Sequence, residues 1–286
     1  MILTIGKFEA IHLGHRALLQ EVSSRAKILS TESAAIIFKP HPFKFLHDTN
    51  YKPIFSEHER EKLIRETGTK KIITLDFDSQ LASMKAEDFC EKLFREFNVR
   101  EIFVGESYRF GKNREGTIET LCDVAITHNA KLHVMKNITG ISTSLIRNLL
   151  AEKKFSEAEK LLGFSFFIEG EVEKGRQLGR VLGFPTLNIY PPDDKFLPAF
   201  GVYKTRAIID GNSSIGVTNI GVRPTVDDGE KISVETHIPT LIAKPDELYG
   251  KKIKIEFLNF IRNEEKFANV EDLKFQIKND VASIKN

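Results

Sequence analysis

Two stretches near opposite ends of the first half of this 286-residue chain combine residue types that handle phosphate. The first is Gly6-Lys7-Phe8-Glu9-Ala10-Ile11-His12-Leu13-Gly14-His15, directly after the apolar run Met1 to Ile5. Loops at the carboxyl ends of parallel strands are where open α/β sheets bind ligands, and a helix that follows offers its amides to phosphate. His12 and His15 are three apart and face the same side of a helical turn, while Gly14 removes a Cβ and lets a phosphate approach. The second stretch is Ile141-Ser142-Thr143-Ser144-Leu145-Ile146-Arg147. Ser142 is a natural N-cap, and Thr143 and Arg147 share a helix face, so hydroxyls, terminal amides and a guanidinium suit a triphosphate. Plainer readings stay open for both: a metal half-site or two surface histidines for the first, simple capping for the second.

A third stretch, Gly170 to Asn188, has glycines where a plain strand would not place them, which reads as a loop around a ligand or as a structural barrel corner. Thr186 and Asn188 project to the same side of an extended chain and offer a hydroxyl and an amide oxygen, hard ligands suited to Mg2+.

The elements that must position these groups follow from periodicity. Strands are expected at 1–5, 34–38, 71–75, 101–104 and 131–135, separated by helical patterns such as Leu18, Leu19, Val22, Ala26 and Leu29 on one face. Ser56 with Glu59 forms a capping-box signature. This alternation predicts a parallel sheet covered by helices on both faces. From about Gly163 apolar and polar residues alternate instead, at 166–172, 202–209, 215–220, 232–238 and 253–257, without intervening helices. Turn sequences such as Asp210-Gly211-Asn212-Ser213 and Asp227-Asp228-Gly229 then predict an antiparallel sheet or small barrel, closed by a helix at about 270–280. The helical stretch 142–162 is the expected junction.

Composition excludes several classes. A hydrophobic content of 41% with 29% charged residues is ordinary for a globular protein, and no run approaches the roughly 18 apolar residues of a membrane span. The N-terminus reads directly as a strand, so a cytoplasmic location is expected. A net charge of +2 argues against a nucleic-acid partner. Cys90 and Cys122, both in helical patterns, read as core thiols rather than a disulfide framework. There is no P-loop: the nearest stretch, Gly105 to Asn113, has the wrong spacing and lacks the hydroxyl.

Further motifs stand in order with the first two stretches: Phe38-Lys39-Pro40-His41-Pro42 and Val104-Gly105-Glu106-Ser107-Tyr108-Arg109-Phe110-Gly111. Together they resemble the adenylyltransferase domain of bacterial bifunctional riboflavin kinase/FAD synthetases. The second half resembles the riboflavin kinase signature in Gly175-Arg176-Gln177-Leu178-Gly179-Arg180-Val181-Leu182-Gly183-Phe184-Pro185-Thr186-Leu187-Asn188, followed by Gly201-Val202-Tyr203, Asn219 to Thr225, Val234-Glu235-Thr236-His237, Leu248 to Lys251 and Arg262 to Phe267.

The resemblance implies a Rossmann-like nucleotidylyltransferase domain at 1–160 and a small antiparallel β-barrel kinase domain with a terminal helix at 161–286. It implies formation of FMN from riboflavin and ATP in the second, and of FAD and pyrophosphate from FMN and ATP in the first. It assigns the α-phosphate to His12 and His15 and the β- and γ-phosphates to Ser142, Thr143, Ser144 and Arg147, with Gly6, Phe8 and Gly14 in the phosphate loop. In the kinase half it places ATP at Gly175, Arg180, Gly183 and Pro185, Mg2+ at Thr186 and Asn188, and the base at Glu235; His237, on the same face, reads as structural. Pro40, His41, Ser107 and Arg223 are the implied flavin contacts. The expected partners are small molecules, in a monomer or weak homo-oligomer. Two departures stand out: the family usually has Phe-Asp-Gly where this chain has Phe8-Glu9-Ala10, and Ser-Ser-Thr where it has Ser142-Thr143-Ser144. The first motivates an alternative, a kinase whose sheet domain only binds flavin or nucleotide. A transferase for another small phosphate is a second alternative, opposed by the kinase half.

Overall fold

The computed structural model describes residues 1–175, 177–224, 230–241 and 245–284, the side chains of 223, 224, 230 and 245 excepted. Arg176, the Arg223 side chain, Thr225 and the expected turn at 227–229 therefore lie outside the described residues. The chain divides into two compact units, Met1–Thr143 and Ser144–Asn286.

The first unit runs β1 (Ile2–Ile5), α1 (Leu13–Ile28), β2 (Ser33–Lys39), α2 (Pro42–Leu46), α3 (Glu57–Glu66), β3 (Lys71–Asp76), α4 (Ser79–Ser83), α5 (Ala86–Phe97), β4 (Glu101–Gly105), α6 (Ile118–Thr127) and β5 (Lys131–Met135). The strands form one parallel sheet in the order β3-β2-β1-β4-β5. All four residues of β1 are buried, so both faces of the sheet are covered, as alternation of strands and helices requires. Phe89, Cys90, Leu93 and Phe94 of α5, spaced to share one face, pack with Leu3, Ile5, Ile36, Ile102 and Val104. The Ser56–Glu59 capping box is present: Glu59 N–H donates to Ser56 Oγ at 3.3 Å and Ser56 N–H to Glu59 Oε2 at 2.8 Å. The chain fills the sheet on one side of β1 and then crosses to β4 on the other. That reversal opens a crevice at the carboxyl ends of β1 and β4.

The second unit comprises α7 (Thr143–Ala151, its first residue lying before the division), α8 (Phe155–Leu162), β6 (Phe167–Glu171), α9 (Leu178–Val181), β7 (Thr186–Ile189), β8 (Gly201–Ile209), β9 (Asn212–Pro224), β10 (Glu230–His237), β11 (Lys252–Arg262) and α10 (Val270–Ser283). Its strands make a curled antiparallel sheet in the order β6-β11-β8-β9-β10-β7. The outer strands approach each other: Glu173 N–H donates to the Asn188 carbonyl at 2.8 Å, and a Cβ at Gly170 would lie 3.0 Å from Ile189 Cβ. Phe155 of α8 meets the ring of Tyr203 edge-on and stacks near Phe257. Across β8, β9 and β10 the buried hydroxyls of Thr205, Thr218 and Thr236 bond in series at 2.7 and 2.8 Å. Arg262 at the end of β11 holds Asp280 of α10 with Nε at 3.0 Å and Nη2 at 2.8 Å.

Three expectations are corrected. The single helical stretch 142–162 is two helices, broken where Lys153 adopts φ 63°. The second half is not free of helices between its strands, since α9 and a 3-10 turn at Pro245–Leu248 intervene; at four residues each they are too short to show periodicity. Cys90 is a core thiol, pushed up to about 12 by burial, but Cys122 is only partly buried.

Candidate active sites

The loop after β1 is built around two bulky residues in left-handed backbone conformation, Phe8 (φ 43°) and Ile11 (φ 45°). Such conformations are costly for residues with a Cβ and persist where the surroundings impose them. Phe8 folds back over Gly6, where a Cβ would come within 3.1 Å of its ring, and meets His15 edge-on with centroids 5.4 Å apart. His12 is the N-cap of α1: its Nδ1 accepts from His15 N–H at 3.3 Å. The rings of His12 and His15 stack at 3.7 Å and 16°. A Cβ at Gly14 would lie 3.2 Å from His12 Cε1, so the glycine makes room for the imidazole itself. Burial lowers His12 to about 4; burial and then His12 hold His15 well below the usual histidine range. His15 Nδ1 is buried without a hydrogen-bond partner. Two neutral imidazoles thus stand at the amide-rich start of a helix, where an anion would draw protons onto them.

Glu9 and Ala10 sit between the two left-handed residues. Ala10 is fully buried and is not itself left-handed, so it does not need the freedom of glycine. Glu9 is 3% exposed; its Oε2 accepts from the Tyr51 hydroxyl at 2.7 Å, its Oε1 from Ile54 N–H at 3.3 Å, and His41 Nε2 lies 3.3 Å from Oε2. His41 is buried, caps α2 through Nδ1 accepting from Phe43 N–H, and stacks on Tyr51. Pro40 and Ser107 are exposed. Ser142 immediately precedes α7, whose first residue is Thr143, and Ser144 is exposed on its first turn; the Arg147 guanidinium lies 5.1 Å over the Phe196 ring.

In the second unit strand register brings distant residues together. β10 and β7 pair antiparallel with Glu235 opposite Asn188 and His237 opposite Thr186, so all four side chains share one face of the sheet. Asn188 is 4% exposed and its Oδ1 has no hydrogen-bond partner. A Cβ at Gly175 would lie 2.5 Å from Asn188 Nδ2, so only glycine fits there. His237 Nδ1 bonds the Pro185 carbonyl at 2.9 Å, and Phe184 meets its ring edge-on, which fixes the chain just before Thr186. Ser233 Oγ donates to Glu235 Oε1 at 3.1 Å. Gly183 takes φ 88°, and a Cβ at Gly179 would lie 2.4 Å from the Phe184 carbonyl, which holds α9 and the following turn close together. Arg180 is exposed and paired with Asp246 at 2.8 Å, which draws the Asp246 carboxyl below its ordinary value.

Tyr51, Asp246 and the Pro185 carbonyl that meets His237 join their sites through long-range contacts with no local pattern, and Ser233 reaches Glu235 from two residues away on the same strand, a spacing that nothing in the sequence marks out.

Paired imidazoles at a helix start on a parallel sheet, and a carboxylate across from an amide and a hydroxyl on a curled antiparallel sheet, are the groups of a two-part enzyme of phosphate-group transfer. The FAD synthetase family matches residues 1–146 and the riboflavin kinase family residues 162–286. The bifunctional riboflavin kinase/FMN adenylyltransferase of Escherichia coli (strain K12) is 34% identical, over 98% of this chain and 90% of that protein. Its counterpart in Pseudomonas fluorescens is 32% identical over 99% and 91%. A crystal structure described as a macrolide-efflux protein from Streptococcus pneumoniae superposes with TM-score 0.85 at 28% identity, covering 100% of this chain and 93% of that one. Among the described residues of this chain, no helix is long and apolar enough to cross a membrane. The chain belongs to the bifunctional riboflavin kinase/FMN adenylyltransferase family.

Proposed function

We propose that the chain phosphorylates riboflavin to FMN with ATP and then adenylylates FMN to FAD, releasing pyrophosphate. The observation that carries the kinase half is the register that sets Glu235 opposite Asn188. A neutral ribityl hydroxyl needs a base as it attacks phosphorus, and we give Glu235 that role, supported by its position opposite Asn188. Asn188 Oδ1, buried and without a partner, together with the Thr186 hydroxyl, fits a hard divalent cation. Mg2+ held there supplies charge neutralisation on the ATP phosphates. Gly175, Arg180, Gly183 and Pro185 shape the ATP side of this site.

In the first half the FMN phosphate is already ionised, so no base is required. His12 and His15 face the α-phosphate and, once protonated, neutralise its oxygens; Ser142, Thr143, Ser144 and Arg147 take the β- and γ-phosphates. These last roles rest on the sequence motif. Pro40, Ser107 and Arg223 are offered as flavin contacts, whereas His41, with its Nδ1 used as a cap and its Nε2 facing Glu9, supports that surface from within. Functionally we draw the domains at 1–160 and 161–286, α7 carrying the end of the phosphate motif. A cytoplasmic location, a monomer or weak homo-oligomer, and small-molecule partners rather than nucleic acid belong to the same reading.

The binding-only alternative for the first unit is motivated by Glu9 and Ala10, and the loop accommodates both. Incubating the full chain with riboflavin, ATP and Mg2+ while following FMN, FAD, ADP and pyrophosphate tests the whole. The expected outcome is ADP with FMN, then pyrophosphate with FAD; ADP and FMN alone would sink the adenylyl half.

A further inference from the structure

We infer that Glu9 is a positioning residue for adenylyl transfer, the buried hub that fixes the His12 and His15 loop to the segment running from His41 to Ile54. This rests on the reading of His12 and His15 as phosphate groups.

The hub is an acceptor surrounded by donors. Tyr51 offers a hydroxyl and Ile54 a backbone N–H. His41 uses Nδ1 to accept from Phe43 N–H, so the ring proton sits on Nε2, which faces Glu9 Oε2. Two donors from the segment after β2 thus bond one carboxylate carried by the loop after β1, and the His41 ring nitrogen approaches it to 3.3 Å. The Glu9 and His41 side chains are 4% and 3% exposed, an environment in which the bonds that Tyr51 and Ile54 donate to Glu9 are strong and their loss is costly. Glu9 also lies between Phe8 and Ile11, the two left-handed residues, and Phe8 touches His15. Releasing the carboxylate lets that backbone relax away from its left-handed conformations and lets the stacked imidazoles shift. In this reading Glu9 acts through backbone geometry, since misplacing catalytic groups by a fraction of an ångström to an ångström lowers rate steeply.

The test uses the full chain with Glu9→Gln, Tyr51→Phe and the double variant. Gln fills the same space but offers one acceptor oxygen where Glu9 uses two. Glu9→Gln is expected to lower kcat for FAD formation from FMN and MgATP by about tenfold or more, mainly in kcat because no substrate contact is removed. FMN formation from riboflavin, whose proposed groups belong to the second unit, stays within about twofold. Tyr51→Phe gives a smaller loss in the same direction, and the double variant is no worse than Glu9→Gln. Amide hydrogen exchange at residues 8–15 and 43–54 quickens in Glu9→Gln while that in α5 does not. An unchanged kcat, or losses that multiply independently, would overturn the inference. If Glu9→Gln does not fold, Tyr51→Phe, which keeps the carboxylate, carries the same kcat and exchange readouts. If the wild type forms no FAD, the adenylyl reading fails on its own; unchanged exchange at 8–15 then overturns the hub, and quickened exchange supports it.

Discussion

The two proposed sites face the same co-substrate with opposite chemistry. At His12 the groups offered to phosphate are two imidazoles and the amides of a helix start, and the nearby carboxylate, Glu9, is buried and bonded by Tyr51 and Ile54, with His41 Nε2 3.3 Å away. Around Asn188 the order is reversed: the carboxylate of Glu235 shares a sheet face with the uncharged side chains of Asn188 and Thr186. The difference follows the nucleophile. A phosphate arrives ionised and needs its charge neutralised, whereas an alcohol must lose a proton first.

The contrast breaks most sharply at Glu235. Replacing it by Gln keeps the strand pairing but removes the base, and FMN formation is expected to fall by about 10²–10⁴-fold while FAD formation from supplied FMN continues; a parallel loss of both, measured in the same assay, would mean the sites are not chemically separate. His15→Ala is the mirror image, with FAD formation down by about 10²–10³-fold and the kinase intact. Asn188→Ala sharpens the picture on the metal side: the Mg2+ concentration for half-maximal kinase rate should rise by about tenfold or more, with little change in the Mg2+ response of FAD formation.

The smallest effect is on stability. His12 titrates near pH 4 when folded and near the ordinary 6.5 when unfolded, so between these values the unfolded chain binds the extra proton and stability falls as pH falls. The loss is on the order of 3 kcal/mol and is complete below about pH 4. Glu101, held down to about 2 by Arg25 and then His133, loses its contribution only below its ordinary range, at more acidic pH. His12→Asn keeps a capping acceptor and removes the His12 share of the titration while that of His15 stays, so denaturant unfolding from pH 7 to 4.5 should show a flatter but not a flat slope; the same slope as wild type would remove His12 as a cause.

Most of the fold was legible because it is written in local periodicity. The five parallel strands, the Ser56 capping box and α10 lie where the pattern puts them, within a few residues. The sites were legible as residue types but not as geometry. Thr186 and Asn188 share a face by simple alternation, yet nothing local announces that Glu235 lies opposite Asn188, since register between distant strands is set by the whole sheet. His12 as the cap of α1 was hidden because histidine is an uncommon cap. Glu9-Ala10 looked like damage to a glycine turn, but the left-handed positions are one residue to either side.

The division between the units falls between Thr143 and Ser144, inside the phosphate motif, while α8 buries Phe155, Ala158 and Leu162. Cutting the polypeptide therefore cannot yield two clean halves. A fragment ending at 143 forfeits Ser144 and Arg147; one ending at 160 carries away Phe155, which otherwise packs on Tyr203 and Phe257, and leaves a gap in what remains. If Ser144 and Arg147 hold the phosphates as proposed, the two reactions share one uninterruptible stretch of chain, and a protease or a gene fission at this junction would silence one of them or destabilise the other.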